Sequence, residues 1–233
     1  MSEAAPAPAS VAMQDPVYVA AVVDFLGVIA YGEISAFDRL AEDARMAPCL
    51  EDRAALAGMA ATEFGHFRKI SERIRQLGAD PMEAMSGFVE ALDGFHERTA
   101  PSDWWEGLIK AYVGEGLVAD FYREIAAFLD VDTRTLIVES LDDAGQASFA
   151  VERIRDGIKA DPRLGGRLAL FGRRLMGEAL SQAQRVAAER DALVGLLSGG
   201  VDRPGMDLAA IGRLFTRLTE NHTQRMEALG LTA

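Results

Sequence analysis

The 233-residue chain has a single cysteine, Cys49, so it can form no internal disulfide and offers no thiolate cluster to a metal, a usage that fits a reducing compartment. Beside Pro48 this cysteine reads as a small apolar filler. Positive charge is also scarce. The 24 Lys and Arg stand against 36 Asp and Glu, and the net charge of −12 disfavours general nucleic-acid binding while leaving room for a local basic stripe. The opening MSEAAPAPAS has no basic residue and no apolar core of signal-peptide type, and no uninterrupted apolar run is long enough to span a bilayer. A cytoplasmic protein without a membrane segment is expected, with residues 1 to 14 an Ala/Pro tail. Strand-like alternation, Asn-Gly hairpin signals and a Gly-rich dinucleotide loop are all missing, which excludes a β or nucleotide-binding α/β architecture.

What is there is helical periodicity from Asp15-Pro16 onward, in a chain 49% hydrophobic and 26% charged. The class expected is all-α. Helices are expected over 16–46, ended by Pro48; 50–77, ended by Gly78 and Asp80-Pro81; 103–129, opened by Pro101-Ser102-Asp103; and 133–159, closed by Asp161-Pro162. Residues 82–100 carry a short helix. A long helix over 164–197 and a last one over 207–229, split by SGGVDRPG, are expected to pack outside the 15–160 core or against a second subunit.

The apolar stripe of the first helix is Val22, Leu26, Ile29, Phe37, Leu40 and Ala44, stepping by three or four and interrupted at Glu33, which therefore points inward. In the second, Leu56, Met59, Ile70, Ile74 and Leu77 flank Glu63 and His66. In the third, Leu108, Tyr112, Ala119, Tyr122 and Leu129 flank Glu115. Glu33 and Glu63 each stand fifteen residues from Pro48, roughly 22 Å at 1.5 Å per residue, so an antiparallel hairpin sets them side by side. The residue mirroring Glu115 across Leu129-Asp130 is Asp143.

An internal repeat accounts for the symmetry. GEISAFDRLAEDA from Gly32 matches GEGLVADFYREIA from Gly114, and GHFRKISERI from Gly65 matches GQASFAVERI from Gly145, at offsets of 82 and 80 residues. Glu33 thus pairs with Glu115, Glu63 with Asp143 and His66 with Gln146. Two copies of a hairpin joined by the 79–102 crossover make a four-helix bundle.

Several ionised carboxylates in one apolar core repel strongly unless cations lie between them. A pair of divalent ions resolves this, and a Glu from each of two helices plus Glu-x-x-His from the others is the ligand set of di-iron and di-manganese four-helix proteins. Glu33, EFGH at Glu63 to His66, and Glu115 resemble the ferritin-like superfamily over residues 16 to 160. With the phrases GEISAFDRLAEDA and DAGQASFAVERI, the chain resembles more narrowly the bacterial ferritin-like proteins related to the tRNA methylthio-isopentenyl-adenosine hydroxylase. That resemblance implies a non-haem di-iron centre using O2 and an external electron donor, with tRNA a candidate partner through the arginines of the 164–190 helix.

The fourth helix departs from the pattern, offering Asp143-Ala144-Gly145-Gln146 in place of Glu-x-x-His. Asp reaches less far than Glu and a Gln amide is a weak ligand, so one tight position (Glu33, Glu63, His66) and one weak position (Glu115, Asp143, with Gln146) are expected, Glu63 bridging. Glu139, one turn earlier, is a candidate extra ligand. Iron is the expected metal, two ions per chain, with manganese as the variant. The competing readings are a ferroxidase-like iron or manganese binder without organic substrate and a metal-free bundle serving as an interaction module. His96 and His222 read as solvated, Trp104 and Trp105 as anchors for the crossover, and Tyr31, Tyr112 and Tyr122 as packing beside the centre. Surplus helical surface suggests a homodimer.

Overall fold

The computed structural model describes residues 11–141, 146–198 and 207–233, and every regular element among them is helical. Helix α1 (Pro16–Asp43) begins where the Asp15 carboxylate accepts the Val17 N–H at 2.9 Å and Pro16 occupies the first helical position. A 3₁₀ turn, Ala44–Met46, leads to α2 (Leu50–Gln76), which lies back along α1. Cys49 is not filler: it is exposed and caps α2, its Sγ accepting the Asp52 N–H at 3.5 Å. Gly78, at φ 82°, ends this helix in the left-handed conformation that glycine tolerates.

The crossover holds two short helices rather than one, α3 (Pro81–Ser86) and α4 (Val89–Arg98), both against α1. At Gly27 the α3 backbone comes so close that an added Cβ would overlap the Ala84 carbonyl. The Tyr31 hydroxyl donates to Asp93 at 2.7 Å and ties α4 to the same face.

The third expected helix is interrupted. It consists of α5 (Trp104–Ile109), a π-helical turn at Lys110–Gly114, and α6 (Glu115–Ala126). A π turn inserts one residue and rotates the rest of the helix by about 100°, which reassigns the buried face. Tyr112 and Ala119, expected on the stripe, are half-buried, while Ile109, Val113 and Leu117 are buried instead. The fourth expected helix is also two, α7 (Val131–Ser140), which ends at a Leu141 cap, and α8 (Gln146–Ala160).

The apolar core falls into two halves. One contains Leu40, Leu56, Met59, Leu108, Val113, Leu117 and Ile154; the other contains Val22, Phe25, Ile29, Ile70, Ile74, Tyr122 and Ile137. Along α1 and α2 the switch between halves falls at Glu33 and at Glu63–His66, so these residues form a polar layer between two greasy ones. The repeat explains the division. Ile70 and Ile74 correspond to Ala150 and Ile154, and Leu40 and Ala44 to Tyr122 and Ala126. All eight are buried, yet each corresponding pair is split between opposite halves. A two-fold relation between the hairpins, with its axis through the polar layer, exchanges the halves in this way.

The remaining helices are α9 (Arg163–Glu189), α10 (Asp191–Ser198) and α11 (Leu208–Ala228). Arg167 pairs with Asp103 at 2.5 Å and Glu106 at 2.8 Å, Arg185 pairs with Glu90 at 2.5 Å, and Glu178 receives Arg98 at 2.7 Å, fastening α9 along α4 and α5. Helix α11 lies on α6 through Arg217–Glu124 and a half-buried Arg225–Asp120 pair, and its Met226 fills the space above Gly172. His222 is consequently not solvated but 4% exposed. Pro16–Met46 is long and apolar enough to pass as a membrane span by composition, and here one face of it, with Val22, Phe25, Leu26 and Ile29, is buried in the core.

Replacing Gly27 by Ala forces the α1–α3 backbones apart and should cost about 1–3 kcal/mol in urea denaturation. Gly58, exposed in mid-α2 with nothing within 4 Å of an added Cβ, gives the opposite sign: Gly58→Ala should stabilise by about 1 kcal/mol through helix propensity alone.

Candidate metal centre

At mid-length of the α1–α2 pair, Glu33, Glu63 and His66 converge, with one potential ligand atom from each lying within 4.8 Å of the others. The imidazole Nδ1 stands 3.6 Å from Glu33 Oε2 and 3.5 Å from Glu63 Oε2. These separations are too long for good hydrogen bonds, and Nδ1, though buried, makes none. They suit a shared ion better. Two ligand atoms each about 2.1 Å from one metal at a tetrahedral angle stand about 3.4 Å apart. Glu33 and Glu63 are 7% and 8% exposed, so little solvent separates their charges.

The electrostatics record the strain. Burial pushes the Glu33 carboxyl up to about 8, Glu63 adding to the effect and His66 opposing it. Burial also resists ionisation of Glu63, but its contacts with His66 and Glu33 outweigh this and hold it below the ordinary carboxylate value. His66 is raised to about 9 by Glu33 and then Glu63, against the pull of burial. Without metal, then, one proton and one imidazolium substitute for the missing positive charge. The donor set, two carboxylates and an imidazole, suits a divalent transition-metal ion.

The other sequence candidates fare differently. Glu115 is half-buried at the junction of the π turn and α6, outside the three-residue cluster. Asp143 and the side chain of Gln146 lie outside the described residues. Glu139 is exposed, so it turns away from the core.

Two features near the centre and one further along the bundle come from the tertiary packing. Gly32 leaves room for the Tyr122 hydroxyl, which an added Cβ would meet at 2.9 Å; that hydroxyl is buried and held above its ordinary pKa by burial and by Glu33. Phe37, Phe64 and Phe67 follow one another at centroid distances of 5.4 and 5.7 Å, and Phe64, between Glu63 and His66 in sequence, is 40% exposed. Their spacing along the two helices is visible in the sequence, but aromatic stripes usually mean core. Lastly, Lys110 opens the π turn buried, its Nζ donating to the His96 carbonyl at 3.4 Å; burial lowers it to about 8, while burial lifts nearby Asp43 to about 6. His96 is not solvated either, and burial lowers it to about 3.

The family model for the ferritin-like domain of actinomycetes matches residues 16–200. Among solved structures, a Synechococcus protein described as protein 19 with aldehyde deformylating oxidase activity aligns over 95% of this chain and 94% of its own, with 21% identity and a TM-score of 0.69. At that identity the likeness is one of fold. No curated protein matches the chain by sequence.

With Glu33 raised from 4.5 to about 8 and His66 from 6.5 to about 9, the folded metal-free protein binds more protons than the unfolded chain from about pH 4.5, where Glu33 alone contributes, to about pH 9. The stability contributed by this pair is therefore full on the acid side and lost through that window. Glu63, held low, titrates below it. Urea midpoints in EDTA should fall from pH 6.5 to 9, and Glu33→Gln should flatten the slope; a pH-independent midpoint in the parent protein would contradict the shared-proton description.

Proposed function

The chain belongs to the actinomycete ferritin-like domain family, and from that premise we propose that it is a non-haem di-iron protein of the oxidase or hydroxylase type, consuming O2 and electrons from a separate donor. The observation that carries the reading is the buried Glu33–Glu63–His66 cluster at the centre of the bundle. The fold it shares with a protein of aldehyde deformylating oxidase activity supports the reaction class. Bound iron would supply the redox equivalents and the open coordination position that O2 chemistry requires.

The chain's own contributions come from the geometry. Glu33 and His66 would hold one ion through a carboxylate oxygen and Nδ1, and Glu63, whose Oε2 is 3.5 Å from the same nitrogen, would be the carboxylate common to both ions. The internal repeat in the sequence, rather than the geometry, assigns Glu115, Asp143 and Gln146 to a second, weaker ion. The two apolar halves of the core exclude water above and below the centre, which strengthens every charge interaction inside. The Tyr122 hydroxyl, raised by its burial, stays protonated and neutral beside Glu33. Phe37, Phe64 and Phe67 form an apolar approach on the α1–α2 side, fitted to the hydrocarbon part of a substrate rather than to a hydrated ion. The tRNA substrate of the resembling hydroxylases finds less support, since Arg167 and Arg185 of α9 are engaged by acids of the crossover region and α5.

Anaerobic titration with Fe(II) should give one tight and one weaker equivalent per chain, and mixing with O2 should produce near-ultraviolet absorption in stopped flow. His66→Ala should weaken the tight site by about tenfold or more and abolish the absorption. Sub-stoichiometric iron and a silent mixing trace would leave a metal-free bundle as the correct description.

A further inference from the structure

The buried face of α11 is a stripe stepping by four, Leu214, Leu218, His222 and Met226, followed by Leu229. All but one are apolar. The exception is an imidazole in the middle of the contact, and neither its Nδ1 nor its Nε2 has a hydrogen-bond partner although both atoms are buried. A neutral imidazole carries one N–H donor and one acceptor nitrogen, so leaving both unused is a cost that an apolar residue at this position would not incur. A charged ring would be worse placed still. Helix α11 packs on α6, α9 and the π turn, and the charged groups of those elements are engaged elsewhere. On α6, Asp120 is held by Arg225 and Arg123, Glu124 is held by Arg217, and Glu115 adjoins Gly116, which Arg225 covers. On α9, Arg173 donates to the Thr232 carbonyl, Arg174 is exposed and Glu178 is bound to Arg98; Lys110 of the π turn donates to the His96 carbonyl. Among the described residues the charge that acts on His222 is the Arg225 guanidinium, three residues along its own helix, which together with burial keeps the ring below its ordinary pKa.

We propose that His222 makes the first two-thirds of α11 an acid-released latch: protonation of the ring detaches Leu208 to His222 from α6 while the bundle stays folded. An imidazolium at this position needs water at its two N–H groups, and water reaches it only if the preceding turns lift away. Little resists that movement. Leu214 and Leu218 belong to neither half of the core, whereas Met226 and Leu229, after His222, are part of it. Arg217–Glu124 is a partly exposed pair of the kind that contributes little, and α11 lies beyond the residues matched to the ferritin-like domain. The sign follows from proton linkage. Once released, the ring regains its ordinary affinity for protons, so the docked helix is fully held above about pH 6.5 and loses hold as pH falls below it, by at most about tenfold per pH unit for one proton.

Hydrogen–deuterium exchange of the full chain, read by mass spectrometry at pH 7.5 and 5.5 and corrected for intrinsic rates, tests the latch, because a detached 15-residue helix is marginal in water and loses protection. The reference is His222→Leu, which completes the apolar stripe. Between pH 7.5 and 5.5 the ratio of exchange rates, parent over His222→Leu, should rise by about three- to tenfold in peptides within 208–222 and stay level in peptides of α1 and α2. His222→Gln keeps a polar side chain but does not titrate, so its ratio to His222→Leu should not change with pH. A level ratio in 208–222 for the parent, an equal rise in His222→Gln, or a matching rise across α1 and α2, which would mean global unfolding, would each overturn the proposal.

Discussion

The molecule is organised around the cost of keeping acids in an apolar bundle. An unpaired carboxylate loses several kcal/mol on burial even after the surroundings relax, and here Glu33 and Glu63 share the same small volume with only His66 to offset them. Every other feature of the first hairpin limits that cost. Two helices of 28 and 27 residues run uninterrupted past the site, so the acids are set at matched heights by the shared turn and not by loops. The apolar layers on either side pack independently, which confines the polar groups to one level.

The second hairpin is built differently. Its first helix contains a π turn immediately before Glu115, and its second is divided at Leu141. Such interruptions weaken the continuous packing that steadies α1 and α2. The extra helices lie where this support is missing: α9 fastens to Asp103 and Glu106 at the start of α5, and α11 sets the Arg225 guanidinium across Gly116, next to Glu115, and pairs it with Asp120. The region after residue 160 thus braces the irregular half of the bundle. The repeat and the bracing are two sides of one fact, since a hairpin copy that has drifted from its partner's pattern requires outside contacts to hold its side chains in place.

Much of this is legible in the sequence. The buried stripe of α1 agrees with its periodicity at Val22, Leu26, Ile29 and Leu40, and the same periodicity turns Glu33, Glu63 and His66 inward because 3.6 residues per turn leaves few alternatives in a long straight helix. Features that depend on neighbours distant in sequence are not legible in this way. Nothing local to His222 or His96 distinguishes them from surface histidines; His222 is buried because α11 settles on α6, and His96 is half-buried where α4 folds over Lys110. Cys49 reads as filler beside Pro48, yet the chain's turn there exposes it and uses its sulfur as a cap.

By itself, then, the order of residues determined the helical class, the positions of the turns and the three groups that meet at the centre, since each arises from periodicity and chain-breaking residues within a few tens of positions. Tertiary structure alone decided the π turn, the burial of Lys110 and the docking of the last three helices. Those outcomes are settled by which surfaces come within a few ångströms of one another, and interactions of that range carry no periodic signature along the chain.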